Sequence, residues 1–240
     1  MTTSDRSSPG TRLRQIAQGA LVALALGFAG PDAAESAKLV PAPTQDPAAD
    51  GPQTLVVSGG CFWGVQGVFQ HVKGVESAVS GYAGGAADTA HYETVSTGRT
   101  GHAESVEITY DPRIVSTGQI LRVFFLVAHD PTQRDRQGPD TGTQYRSAIF
   151  TTSASQMELA KSYIEQLDHS GAFSRPIATE VEPLKGFYPA EAYHQDFLAL
   201  HPSYPYIVYN DLPKVENLKR LFPSLYNEKP RLVGDAKNPS

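Results

Sequence analysis

The sequence predicts an α+β fold: a ferredoxin-like βαββαβ two-layer sandwich with an additional helix, an additional strand and a long C-terminal coil. Short apolar segments typical of strands alternate along the chain with segments that have helical spacing. Two serines precede helical segments in the pattern of a capping box. Hydrophobic residues make up 40% of the 240 residues, which is enough for a core and too many for a disordered chain.

The first half of the sandwich is predicted from four segments. Residues 54–58 form a short apolar strand that ends at two glycines, and the residues from Cys61 to Gly74 have apolar side chains at helical spacing. Residues 75–82 form the next strand. Residues 103–110 alternate polar and apolar side chains, as a half-buried strand does.

The second half contains two helices with clear start signals. Ser116 with Gln119, and Ser153 with Gln156, place a capping serine three residues before a glutamine. The predicted elements are the helix 117–128, the strand 144–151, the helix from 153 to about 168 and the strand 177–182. Gly171 follows the second helix, at the position of a C-terminal cap.

Residues 1–37 have the layout of a secretory signal peptide. Three arginines precede an apolar run over 19–30, and small residues follow Pro31. The run is shorter than the roughly 20 residues that span a bilayer. We expect an exported, periplasmic protein without stable membrane association after processing. The alternative is an amphipathic or disordered extension on a cytoplasmic protein.

Composition divides the rest of the chain into three parts. Residues 38–53 are rich in Pro, Ala and Asp and are predicted to be a flexible linker. Residues 54–226 form the predicted globular domain. Residues 227–240 are predicted to be a polar tail.

Charge and cysteine content exclude several classes of function. The chain has 20 basic and 25 acidic residues, and its net charge of −5 argues against a nucleic-acid partner. A single cysteine excludes an internal disulfide and a zinc site built from several cysteines. The seven histidines lack metal-binding spacing such as HExxH. We therefore expect no metal and no bound cofactor.

Cys61 is the candidate nucleophile. It follows a strand and the glycines Gly59 and Gly60, and it lies in the first turn of a helix, whose N–H groups and partial positive charge stabilise a thiolate. The alternative is a buried structural cysteine. Phe62 and Trp63 come next, and because neighbouring helix residues point about 100° apart, at least one is expected at the mouth of the site.

Glu104 is the candidate acid. The two-residue period of its strand places it on the same face as Val106 and Ile108, whereas Glu107 points outward. Burial would raise the pKa of the Glu104 carboxyl and allow it to hold a proton near neutral pH. The alternative is that Glu104 reaches water at the end of the strand.

Two tyrosines and one aspartate complete the candidate site. Tyr92 and Tyr145 lie in Gly- and Thr-rich segments, and their phenols are neutral donors suited to a developing oxyanion. Asp140 is expected in a turn, from which it could orient the site.

Five segments resemble the motifs of one enzyme family. In order along residues 54–200 they are GGCFWG (59–64), SGYAGG (80–85), GHAE (101–104), DTGTQYRS (140–147) and AEAYHQ (190–195). Together they resemble the A-type peptide-methionine (S)-S-oxide reductases, in a form with one cysteine. The combination of GCFWG, GHAE and DxGxQYRS is highly specific.

The resemblance implies reduction of methionine S-sulfoxide, free or in peptides and proteins, as repair after oxidation. Cys61 would attack the sulfoxide sulfur and remain as a sulfenic acid, and Glu104 would protonate the sulfoxide oxygen. The resemblance further assigns Tyr92 and Tyr145 as hydrogen-bond donors to that oxygen, Phe62 and Trp63 as the apolar pocket for the S-methyl group, and Asp140 as an orienting residue.

The chain departs from many relatives in the recycling step. Many family members carry one or two further cysteines near the C-terminus, and this chain has none. An external thiol must then reduce the sulfenic acid: a small thiol or a thioredoxin- or glutaredoxin-like protein. Such reductants are scarce in an oxidising compartment. The expected partners are this reductant and oxidised proteins or peptides that carry methionine sulfoxide, and the enzyme is expected to be a monomer.

Two other classes of function stay open at this point. A Cys-dependent acyl transferase or thiol hydrolase would need a histidine beside Cys61, and His194 could serve. A non-catalytic module could bind sulfoxide peptides, although the intact pair of Cys61 and Glu104 argues against it. A turnover assay with methionine sulfoxide and dithiothreitol separates the three.

Overall fold

The computed structural model describes residues 40–235. The strands are β1 (Gln53–Gly59), β2 (Val75–Ala83), β3 (Ala103–Tyr110), β4 (Arg136–Gln137), β5 (Asp140–Thr141), β6 (Ser147–Thr151), β7 (Glu180–Pro183) and β8 (Phe187–Pro189). The helices are α1 (Phe62–Gln70), α2 (Tyr92–Val95), α3 (Thr117–Val123), α4 (Ala154–Ser170), α5 (Phe197–Leu200) and α6 (Leu212–Leu221). The signal peptide expected over 1–37 lies outside the described residues.

A mixed six-stranded sheet lies at the centre of this mixed α/β fold, with strand order β7-β6-β1-β3-β2-β8. The neighbours from β6 to β8 are antiparallel, and β7 is parallel to β6. Gly59 pairs with Ser147, and Tyr82 pairs with Glu104. The carboxyl ends of β1 and β2 therefore meet the amino ends of β3 and β6 at one end of the sheet.

The main hydrophobic core lies between one face of the sheet and the helices α1, α3 and α4. Leu55 and Val57 of β1 point into this core, whereas Val56 packs on the opposite face. On β3, Val106 and Ile108 point into the main core. The alternation along both strands follows from the two-residue period of a strand.

The predicted helix starts are confirmed, because Ser116 caps α3 with a complete capping box and Ser153 caps α4. The helix predicted over 117–128 changes at Phe124 into a π-helical turn, Phe124–Ala128.

The strand predicted over 144–151 begins three residues late, at Ser147. Gly142 adopts a φ of +139°, a backbone conformation that favours glycine. Hydrogen bonds from Tyr145 N to Gly142 O and from Arg146 N to Thr143 O then close a 3₁₀ turn. Tyr145 thus lies in a turn at the end of the sheet rather than in a strand.

The prediction of a long C-terminal coil is wrong, because this region contains β8, α5 and α6. Pro213 stands in the first turn of α6, where its missing N–H costs nothing. Val215 and Leu218, three residues apart, are buried against the rest of the domain. A π-helical turn, Ile207–Asp211, leads into α6.

Part of the expected linker contacts the domain. Arg122 of α3 donates from Nε to Val40 O at 2.9 Å, and Asp46 accepts a hydrogen bond from Gly118 N, also at 2.9 Å. Residues 40–46 are thereby held against the start and the end of α3. Within 40–235, no helix combines the length and the apolar character that a membrane crossing requires.

Candidate active site

Cys61 lies between the end of β1 and the start of α1, at the end of the sheet where β1 ends and β3 begins. It is the N-cap residue of α1 and is partly buried. The preceding Gly60 has a φ of +90°, and a Cβ at this position would lie 2.5 Å from Gln137 Cβ. Glycine therefore lets the chain turn sharply before the thiol.

Glu104 is buried directly below the start of α1. Its side chain is 4% exposed, and its Oε2 accepts a hydrogen bond from Phe62 N at 3.0 Å. Burial raises the pKa of Glu104 to about 8, although the Phe62 N–H opposes this rise. The carboxyl is therefore mostly protonated at neutral pH, next to the residue that follows Cys61.

The resting state of Cys61 differs from the sequence expectation of a stabilised thiolate. Burial raises the pKa of the Cys61 thiol well above its usual range. Glu104, once it ionises near pH 8, and Asp211 add to this rise as negative charges. The Trp63 N–H and the Lys214 ammonium oppose it without cancelling it. The position of Cys61 in the sequence reveals neither its burial nor Asp211, and these outweigh the stabilising effect of the helix N-terminus on the thiolate.

Aromatic side chains form a wall beside Cys61. Trp63 stacks on Phe197 with ring centroids 3.8 Å apart and planes 9° apart, and its Nε1 donates to His194 Nδ1 at 3.2 Å. The rings of Tyr204 and Tyr206 meet Trp63 edge-on at 6.2 and 6.0 Å. This arrangement fixes the orientation of the indole.

Phe62 occupies the floor below this wall rather than its exposed surface. Its side chain is 1% exposed, with ring centroids 5.9 Å from Tyr82 and 5.0 Å from His194. Of the two adjacent aromatic residues, Phe62 thus belongs to the core and Trp63 faces the site.

The side chains of Tyr92 and Tyr145 come from different segments of the chain, and both lie close to Glu104 and Cys61. The Tyr92 N–H donates to Glu191 Oε1 at 3.0 Å, which fixes the start of α2, and its ring lies 4.5 Å from that of His194. Burial, with the charge of Glu104 as the next cause, raises the pKa of both phenols. Both side chains are therefore neutral hydrogen-bond donors close to Glu104.

Asp140 and Tyr206 form a pair that the sequence did not reveal. The Tyr206 hydroxyl donates to Asp140 Oδ2 across the site. Burial raises the pKa of Tyr206, and the proximity of Cys61 is the second cause. The only sequence signal for Tyr206 is a run of aromatic residues over 204–209, which is equally typical of packing.

His194 is placed to orient Trp63 rather than to activate Cys61. Its Nδ1 accepts the Trp63 indole N–H, so its proton is on Nε2, and burial lowers the pKa of the ring. That Nε2 is buried and has no partner among the residues that the structure describes. The same residues contain no group of three or more side chains suited to hold a metal ion.

The sequence model of one family, described as peptide methionine sulfoxide reductase, matches residues 53–225. The chain belongs to the peptide methionine sulfoxide reductase family. Peptide methionine sulfoxide reductase MsrA 2 of Mesorhizobium japonicum is 67% identical over 191 residues, which are 80% of this chain and 98% of the relative. MsrA 2 of Synechocystis sp. is 49% identical over 190 residues, which are 77% of this chain and 89% of the relative.

Solved structures of family members have a similar fold. Reduced Mxr1 from Saccharomyces cerevisiae superposes with a TM-score of 0.57 at 32% identity, over 67% of this chain and 92% of that chain. Methionine sulfoxide reductase A of Corynebacterium diphtheriae gives a TM-score of 0.55 at 38% identity, over 64% and 77%. The reductase therefore catalyses the thiol-dependent reduction of methionine sulfoxide, and the alternative of acyl transfer is not supported.

Proposed function

We propose that Cys61 and Glu104 carry the chemistry of this reductase as nucleophile and acid. The observation that supports this most directly is the hydrogen bond from Phe62 N to the buried Glu104 carboxyl. It places an acid with a pKa of about 8 against the residue next to Cys61. A buried neutral carboxyl can deliver a proton to an oxygen that gains charge during the reaction.

In the proposed reaction, Cys61–SH and the sulfoxide give Cys61–SOH and the thioether. The Cys61 sulfur attacks the sulfoxide sulfur while Glu104 protonates the sulfoxide oxygen. This attack forms a bond between the two sulfur atoms. The oxygen then bonds to the Cys61 sulfur, while the oxygen–sulfur bond of the substrate and the new sulfur–sulfur bond both break and release the thioether. The sulfoxide is reduced by two electrons, Cys61 is oxidised by two, and the thiol proton replaces the one that Glu104 donated.

The surrounding side chains bind the substrate in this proposal. The phenols of Tyr92 and Tyr145 donate hydrogen bonds to the sulfoxide oxygen. Trp63 forms the apolar wall against the S-methyl group, with Phe62 as the floor beneath it. Asp140 accepts a hydrogen bond from the Tyr206 hydroxyl and so holds the Tyr206 ring in place beside Trp63.

Recycling requires two equivalents of an external thiol, since Cys61 is the only cysteine of the chain. The first thiol attacks the sulfenic sulfur and releases water, which leaves a mixed disulfide on Cys61. The second attacks the reductant's sulfur and frees Cys61. A small thiol or a thioredoxin- or glutaredoxin-like protein would supply both.

We further propose that the enzyme is exported and acts as a monomer on oxidised proteins and peptides. The basic and apolar pattern of residues 1–37 supports export. We also propose the ferredoxin-like description for the central strands. The adjacent antiparallel order of β6, β1, β3 and β2 supports it, because a split βαβ unit places a third strand between two parallel ones.

A single-turnover experiment tests the mechanism. Enzyme mixed with excess methionine S-sulfoxide, without reductant, should release one methionine per chain, and a 1,3-diketone should then label Cys61 as a sulfenic acid. Adding a monothiol should restore turnover. Continued methionine formation while mass spectrometry shows Cys61 reduced and unlabelled would overturn the assignment of Cys61 as the reducing atom.

A further inference from the structure

An ion pair between a buried aspartate and a partly exposed lysine lies beside the start of α1. Asp211, at the end of the π-helical turn that precedes α6, is fully buried, and its Oδ1 accepts a hydrogen bond from Lys214 Nζ at 3.0 Å. Its Oδ2 has no donor among residues 40–235. A buried charge pair with an unsatisfied oxygen costs stability, and π-helical turns occur frequently at functional sites. Both features favour a functional reason for the pair.

The pair occupies the space where a side chain of α1 would face Cys61. Gly64 is the third residue of α1, and a side chain at this position reaches back toward the N-cap residue in a capping box. A Cβ on Gly64 would collide with Asp211 Oδ1 and would lie 2.8 Å from Lys214 Nζ. Asp211, just before α6, and Lys214, in α6, therefore supply the charges that a side chain at position 64 could otherwise place near the thiol.

Several other groups face Cys61 or its neighbours. They are Glu104 from β3, Asp140 from β5, and the phenols of Tyr92, Tyr145 and Tyr206. Among residues 40–235, Lys214 is the positively charged side chain that lies close enough to lower the pKa of the Cys61 thiol. His129 lies near Lys214, but burial lowers its pKa to about 4, so it is neutral at physiological pH. Lys214 thus provides the positive charge on this side of the site.

We propose that Asp211 and Lys214 are positioning residues for the reaction at Cys61, Lys214 by stabilising its thiolate and Asp211 by holding and moderating the Lys214 charge. The inference rests on Cys61 as the nucleophile of the proposed function. Lys214 acts in two steps. It stabilises the sulfur that attacks the sulfoxide after its proton has left, and it stabilises the same sulfur when Cys61 leaves a mixed disulfide.

The second step gives the pair a specific importance in a chain with one cysteine. The incoming thiolate forms a disulfide bond with the reductant's sulfur, the bond to Cys61 breaks, and the electron pair stays on the Cys61 sulfur. A leaving thiol of lower pKa departs faster. An ammonium near Cys61 therefore accelerates the step that frees the enzyme for another cycle.

The pH dependence of Cys61 alkylation by iodoacetamide tests this proposal without any sulfoxide. Lys214→Met should raise the midpoint of the profile by about one pH unit, which makes alkylation about tenfold slower below the midpoint. Lys214→Arg should restore it, whereas Asp211→Asn should lower it. Lys219→Met, on the same helix, removes a lysine that is 49% exposed and paired with Glu228, and should leave the profile unchanged.

Opposite shifts in the two variants distinguish an electrostatic role from a structural one, since damage to the fold would move both midpoints in the same direction. Shifts of equal sign, or none beyond that of Lys219→Met, would overturn the proposal. If Lys214→Met fails to fold, as judged by circular dichroism, Asp211→Asn still decides: a midpoint that does not fall contradicts the proposal.

Two further measurements complete the test. In turnover with dithiothreitol, Lys214→Met should lower kcat and leave KM for methionine sulfoxide within about twofold, because Lys214 has no part in binding the sulfoxide in the proposed function. Repeating the alkylation in the Glu104→Gln background removes the contribution of the Glu104 carboxyl to the pH dependence of alkylation. A failed alkylation test would leave the single-turnover result intact, so the two proposals fail separately.

Discussion

Replacing Glu104 with Gln should make this reductase more stable and far less active. The amide keeps the shape of the carboxyl and an oxygen that can accept the hydrogen bond from Phe62 N. It carries no acidic proton, and general-acid help is typically worth about 10²–10⁴-fold in rate. The single-turnover rate of methionine release should fall by about this factor, with the fold intact.

The gain in stability follows from the pKa of Glu104. The unfolded chain loses this proton near pH 4.5, and the folded chain holds it to about pH 8. Between these values the folded state binds more protons, so wild-type stability falls relative to the variant as the pH rises. At 1.36 kcal/mol per pH unit, Glu104→Gln should be more stable by about 3 kcal/mol at pH 7 and by about 5 kcal/mol above pH 8. At pH 4 the two proteins should be nearly equal.

Urea unfolding of both proteins at pH 4, 7 and 9 measures this difference, and single-turnover assays measure the activity. Glu107→Gln on the same strand is the matched control, because burial raises its carboxyl pKa but its side chain is only partly buried. It should change stability less and leave the rate unchanged. A stability difference for Glu104→Gln that stays constant with pH, or a near-normal rate at pH 7, would refute the reasoning.

Two further predictions concern Cys61 and the N-terminus. Cys61→Ser should abolish turnover with dithiothreitol, because an alcohol of high pKa cannot replace the thiol, and more than a trace of methionine in a chromatographic assay would contradict the assignment. Mature protein isolated from its native cells should lack residues 1–37, since exported proteins lose their signal peptides. N-terminal sequencing that finds Met1 or Thr2 on cytoplasmic protein would show that this segment is retained.

Local sequence patterns were sufficient for most of the fold. Capping serines, a two-residue alternation and glycine stops predicted the order of the main strands and helices, because each pattern depends on contacts within a few residues. The turn over 143–145 was missed because it depends on the φ of Gly142 and not on polarity. Helix α6 was not predicted, although Pro213 and the three-residue spacing of Val215 and Leu218 are typical of a helix.

A residue of the candidate site could be predicted where the sequence immediately around it indicates its role. Cys61 follows two glycines at a helix start, and Glu104 is the first residue of an otherwise apolar strand face. Tyr206 and His194 have no comparable local sign. Their importance comes from partners far along the chain, Asp140 for the first and Trp63 for the second.

The sequence by itself determined the candidate nucleophile, the candidate acid and the need for an external thiol, because these follow from residue identity, local position and a cysteine count. The protonation state of the site was decided only by the tertiary structure. Burial raises the pKa of Cys61, with Asp211 and the ionised form of Glu104 as further causes, and burial keeps Glu104 protonated near neutral pH. Both effects depend on how much water is excluded and which charges lie nearby, and packing between segments distant in the chain sets these quantities.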